Sequence, residues 1–257
     1  MIFAICGKLG GGKSLSSVVS IVKHMKRGGY VVSNIRLNLD TISKYIGCSV
    51  AKLSNQYLLI DADNCNPQNF PHGDLRGTPN GRRVLVVIDE SAEWFSSLDS
   101  SKQLKEWVSW LRHSDKLGVD IFFIVQDLSM LHKQGRLLIN RMIVAIDMAK
   151  FKFPIINCQP FFWLRSYIRL IEHDAITKEV VGRTWLKKSK HYFSFYNTAD
   201  LFGLSYFIES SNAYATLTKP HVSRKYKGYI LWLILVTAIQ FLLLAILYLY
   251  FLQSQYY

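Results

Sequence analysis

Six residues into the chain an apolar run, Met1-Ile-Phe-Ala-Ile-Cys6, gives way to Gly7-Lys8-Leu9-Gly10-Gly11-Gly12-Lys13-Ser14. This is G-x-x-x-x-G-K-[ST] between an apolar run that reads as a strand and an amphipathic segment that reads as a helix, the setting a phosphate-binding loop requires. A loop that wraps a triphosphate must bring backbone N–H groups to within hydrogen-bond distance. Glycine allows both that approach and left-handed dihedrals. In such a loop Lys13 reaches the β- and γ-phosphates and Ser14 coordinates Mg²⁺. A helix opening at Gly12 or Lys13 points its positive end at them. A Gly-rich turn without a ligand is the alternative.

The following segments alternate between the two periodicities. Leu15, Val18, Val19, Val22 and Met25 recur at helical spacing, and Gly28-Gly29 provides a stop. Tyr30–Ile35 reads as a second strand, residues 39–56 as a short helix plus loop, and Tyr57–Ile60 as a third apolar run. Residues 61–83 are crowded with Asn, Pro, Gly and Asp and read as a long surface loop, too polar for core.

Val84-Leu-Val-Val-Ile88 is the continuous apolar run of a central parallel strand, and it ends in Asp89-Glu90. Downstream of a phosphate loop, Asp89 is a metal-side acid and Glu90 a group that polarises the attacking water. A helix N-cap at Asp89 with a solvated Glu90 is the structural reading, and Glu93 reads as a surface carboxylate. Leu104, Trp107, Val108 and Leu111 predict a helix packed on the sheet. Asp120–Val125 is another buried strand, with Gln126 at its tip as a candidate γ-phosphate sensor. Arg136 and Arg141 are candidate arginine fingers for a neighbouring subunit. Met142–Asp147 reads as a strand, and 161–173 with 179–187 as a β-hairpin.

The net charge of +13 points to anionic partners, nucleic acid or an anionic membrane face. Cys6, Cys48, Cys65 and Cys158 lack any metal-ligand or C-x-x-C spacing and read as reduced thiols. No secretory leader is expected at the N-terminus. Tyr229–Leu252 carries no charge over 24 residues, which at about 1.5 Å each gives roughly 36 Å, enough to span a bilayer. Arg224, Lys225 and Lys227 precede it and place everything N-terminal in the cytoplasm. Tyr192, Phe193, Phe195 and Tyr196 lie among Lys187, Lys188, Lys190 and His191. Such interleaving suits single-stranded nucleic acid or a packed terminal segment equally.

Together the phosphate loop, Val84-Leu-Val-Val-Ile-Asp-Glu90 with Trp94-Phe95, and Leu117–Ser129 with Lys133, Gln134 and Arg136 resemble the Zot (zonula occludens toxin) family, the gene I proteins of filamentous bacteriophages. The resemblance spans about residues 1 to 200. It implies an inner-membrane P-loop ATPase that drives phage assembly and extrusion, with MgATP on Lys13 and Ser14, Asp89 and Glu90 as metal-side acid and catalytic glutamate, and Gln126 near the γ-phosphate. A phage coat protein and an outer-membrane channel are the implied partners. Many members carry a periplasmic domain after the membrane helix, against five residues here.

The expected architecture is therefore α/β, a P-loop NTPase with a mainly parallel sheet and helices on both faces. Residues 1–150 form the ATPase core and 151–222 a β-rich, basic aromatic extension, followed by a membrane helix at 229–252 and a tail at 253–257. The expected activity is ATP hydrolysis by a homo-oligomer, used to exchange one protein coat for another on single-stranded DNA. A non-hydrolytic membrane adaptor and a cellular membrane-anchored DNA translocase are the alternatives. A secreted toxin is the third, for which the chain offers no leader.

Overall fold

A computed structural model describes residues 1–60, 70, 75, 82–96, 105–150 and 162–196, all within the compact unit Met1–Ser205. The element order is β1 (Ile2–Cys6), α1 (Lys13–Lys26), β2 (Val31–Ser33), α2 (Leu39–Ile46), α3 (Val50–Ser54), β3 (Tyr57–Leu59), β4 (Val84–Ile88), α4 (Lys105–His113), β5 (Val119–Val125), α5 (Lys133–Arg136), β6 (Arg141–Asp147), β7 (Tyr167–Asp174), β8 (Val180–Lys187) and α6 (Lys190–Phe193). The strands form one eight-stranded sheet in the order β3-β2-β4-β5-β1-β6-β7-β8. The first six are mutually parallel, and β7 and β8 continue the sheet antiparallel.

Side chains alternate across a strand, so a strand covered on both faces must be apolar throughout. In β4 all five residues are buried. Val84, Val86 and Ile88 join the cluster that contains Trp107 and Trp110 of α4, while Leu85 and Val87 join the one that contains Val18, Ile21 and Val22 of α1. Helices thus cover both faces, as expected.

Three expectations change in detail. The single helix predicted within 39–56 is two, because Gly47 takes a left-handed φ of 78° that ends α2, and Ser49 caps α3 by accepting from the Lys52 N–H. The segment 61–83 is not wholly surface. Phe70 and Leu75 are buried in the core, Phe70 lying 4.5 Å from the Trp107 ring and 5.2 Å from the Trp110 ring, so an apolar anchor offsets the polar neighbourhood. Trp110 is also buried, although the i, i+3, i+4, i+7 set omitted it.

The predicted hairpin is present as β7 and β8. Its turn is held by the Asp174 carboxylate, which accepts from the Ile176 and Thr177 N–H groups. Phe195 is fully buried and its carbonyl accepts from the Asn38 N–H, so this aromatic is core, whereas Phe193 is exposed. Among the described residues no helix is long and apolar enough to cross a membrane, and the stretch 229–252 lies outside them. Leu104, Cys65 and Cys158 also lie outside; Cys6 and Cys48 are free thiols.

Candidate nucleotide-binding site

The loop after β1 and the acid after β4 both leave the carboxyl ends of parallel strands, where open α/β sheets bind ligands. Strand β5 separates β1 from β4, so loop and acid face each other across the tip that carries Gln126. Leu9, Gly10, Gly11, Gly12, Lys13 and Ser14 line a cleft of about 350 Å³ together with Asp89, Glu90, Asp147, Ile168, Lys188, Phe193 and Tyr196.

The loop's glycines are required by space and dihedral. A side chain at Gly7 would meet the Ala145 carbonyl oxygen at 2.6 Å. Gly12, the N-cap of α1, has a φ of 93° and packs against Ile168. As Gly12 supplies no side-chain cap, the first-turn N–H groups of α1 are left to an anion. Lys13 is buried, and its Nζ donates to the Gly7 carbonyl at 2.8 Å and the Lys8 carbonyl at 3.3 Å. The Ser14 hydroxyl donates to Asp89 Oδ2 at 2.8 Å.

Asp89 is buried, and burial pushes its carboxyl above the usual carboxylate range, against the pull of the Ser14 hydroxyl. Its backbone is fixed by a residue that was not legible as functional. Asn34, buried just beyond β2, donates from Nδ2 to the Asp89 carbonyl at 2.9 Å and accepts the Asp89 N–H on Oδ1 at 2.8 Å. A polar residue following Val31-Val32-Ser33 was the available signal. Glu90 adopts a positive φ of 49°, uncommon outside glycine, and its N–H donates to Asp89 Oδ1. Glu90 is among the residues that line the cleft. A hydroxyl and a buried carboxylate form the hard oxygen donor set that Mg²⁺ prefers, so Ser14 and Asp89 fit the metal.

The remaining predicted residues are placed differently. Gln126 is exposed and does not line the cleft, although its carbonyl accepts from the Gly7 N–H at 3.3 Å. Arg136 is half-buried on α5, near enough to Asp127 to lower that carboxyl, though less than the Ser129 hydrogen bonds do. Arg141 starts β6 at the end of the sheet away from the loop and pairs with Glu172 at 3.9 Å and Asp174 at 3.6 Å. Glu93 is exposed. Burial pushes the Cys6 thiol up to about 12 and the Tyr196 hydroxyl up to about 12, the latter also through the charge of Asp89.

A mainly parallel sheet with a glycine-rich loop after its first strand and an acid after β4 is the fold of the P-loop NTPases. A solved ATPase domain shares it, with a TM-score of 0.54 at 14% identity over 76% of this chain and 84% of that one. The chain belongs to the Zot family, whose model, "Zonular occludens toxin (Zot)", matches residues 1–198. It is 32% identical over 162 residues to the Gene 1 protein of Salmonella phage IKe, covering 61% of this chain and 43% of that relative, so the match spans less than half of the relative's length. The N-terminal domain of zonular occludens toxin from Neisseria meningitidis superposes with a TM-score of 0.45 at 18% identity, over 76% of this chain and 98% of that domain.

Proposed function

We propose that the chain is an ATP hydrolase that powers assembly and extrusion of filamentous phage at the host inner membrane, anchored by residues 229–252 with its ATPase domain in the cytoplasm. The observation that carries this reading is the meeting of Lys13, Ser14, Asp89 and Glu90 in one cleft, with Ser14 bonded to Asp89. Membership of the Zot family and likeness to a phage Gene 1 protein support the process it serves.

On this account Lys13 exchanges the Gly7 and Lys8 carbonyls for β- and γ-phosphate oxygens, while loop and first-turn N–H groups hold the rest of the phosphate chain. Ser14 and Asp89 would hold Mg²⁺, which when bound neutralises charge on the phosphate oxygens. Glu90 orients the attacking water and takes its proton. Loss of the γ-phosphate is relayed through the Gly7–Gln126 backbone bond to the segment that runs on to Arg136. Arg136 serves a neighbouring subunit of a ring-shaped homo-oligomer. The work is done on a single-stranded DNA–protein complex, whose coat is replaced by membrane-embedded coat subunits during passage toward an outer-membrane channel. The charge of +13 suits that polyanion.

The test is phage release from cells carrying a filamentous phage genome that lacks this gene, supplied with the wild-type chain, Lys13→Ala or Glu90→Gln. Release with wild type alone is expected. Release with Glu90→Gln at the wild-type level would replace the motor by a non-hydrolytic adaptor.

A further inference from the structure

The cleft holds a second lysine with no part in the scheme above. Lys188, which follows β8, donates from Nζ to Asp147 Oδ1 at 2.7 Å, and both side chains are largely buried, at 20% and 14% exposure. Asp147 ends β6, Ile168 lies opposite it in register on β7, and Leu186 lies opposite Ile168 on β8. The ion pair therefore brackets the residue that packs against Gly12 of the phosphate loop. Among the described residues that line the cleft, Lys188 is the only cation besides Lys13.

We propose that Lys188 is a phosphate-sensing lysine, held by Asp147 in the nucleotide-free chain and transferred to the terminal phosphate of a bound nucleoside triphosphate. The inference rests on the nucleotide-site reading above. Three features permit the exchange. Asp147 Oδ1 also accepts the Ala149 N–H at 2.9 Å, so the carboxylate keeps a partner when the lysine leaves. The Lys188 N–H donates to the Ser166 carbonyl at 2.7 Å, so the side chain can swing from a fixed backbone. A terminal phosphate concentrates more negative charge than a carboxylate and competes for the same ammonium.

The consequence is directional. Lys188 lies two residues before α6, and Phe193 and Tyr196 line the same cleft, so its position couples the triphosphate to the chain leaving the hairpin. With a diphosphate, which lacks the γ-phosphate, the proposal leaves Lys188 on Asp147.

The experiment is displacement of a fluorescent ADP analogue from the full-length protein in detergent by ATPγS and by ADP, with and without Mg²⁺. Wild type is compared with Lys188→Ala, Lys188→Arg, Asp147→Asn and Lys13→Ala, with a thermal melt of each. Lys188→Ala is expected to lose about tenfold in ATPγS affinity with ADP affinity unchanged, the worth of one charge-assisted hydrogen bond. Lys188→Arg should restore part of the preference, and Asp147→Asn should keep it or strengthen it. A lower melting temperature in Lys188→Ala and Asp147→Asn with an unchanged ATPγS-to-ADP ratio overturns the proposal, since the pair is then only a brace. Equal loss for both nucleotides overturns the terminal-phosphate assignment. A wild type that binds the analogue no better than Lys13→Ala refutes the nucleotide site itself, and this proposal with it.

Discussion

The Ser14 hydroxyl reaches Asp89 Oδ2 at 2.8 Å across 75 residues of sequence, bridging the start of α1 and the end of β4 past the strand between them. This contact orients the two oxygen donors before any metal arrives. It also explains how a carboxylate is tolerated in a place where burial disfavours its charge.

A pH dependence follows. Burial raises the Asp89 carboxyl above its unfolded value, so the folded chain binds this proton more tightly than the unfolded chain does. That contribution is fully present below the ordinary carboxylate value and is lost as pH rises through the raised folded value. Asp89→Asn should remove this slope and melt higher than wild type near neutral pH without nucleotide, while losing Mg²⁺-dependent binding. Thermal melts of both proteins across pH check it, and an unchanged slope in Asp89→Asn contradicts it.

Asn34 makes both of its backbone bonds to Asp89, so Asn34→Ala leaves a buried N–H and a buried C=O without that partner. The expected cost is about 2–4 kcal/mol, read as a lower melting temperature, with weaker Mg²⁺-dependent nucleotide binding because Asp89 is no longer held. A stability loss with unchanged nucleotide affinity would reduce Asn34 to a brace of the sheet.

The phosphate loop, Asp89 and Glu90 were legible because contiguous residues carry their chemistry and an apolar run on either side fixes their place. Asn34 was not, since its partner lies 55 residues away and a polar residue at a strand end serves many ends. The Asp147–Lys188 pair likewise has no local signal, because β6 and the end of β8 meet only through the sheet. The helical and strand periodicities recovered the sheet and its two covered faces. They missed the break at Gly47, where one left-handed residue decides, and the burial of Phe70, which is surrounded in sequence by Asn, Pro and Gly.

Phe70 packs on Trp107 and Trp110, and Trp107 packs in turn on Phe95 at 4.3 Å, just after the Asp89-Glu90 turn. Phe70→Ala should cost about 3–5 kcal/mol as a cavity in this cluster. The melting temperature of the full chain reads it. A shift no larger than that of an exposed substitution such as Ile176→Ala would place Phe70 outside the core.

Glu90 is the residue on which the motor reading turns. The deciding measurement is ATP turnover by the full-length protein in detergent with Mg²⁺, comparing wild type, Lys13→Ala and Glu90→Gln, with nucleotide affinity measured on each. Turnover by wild type alone, with nucleotide binding lost in Lys13→Ala and kept in Glu90→Gln, is the predicted result. Turnover in Glu90→Gln equal to wild type, or none in wild type even with single-stranded DNA and coat protein added, would contradict it.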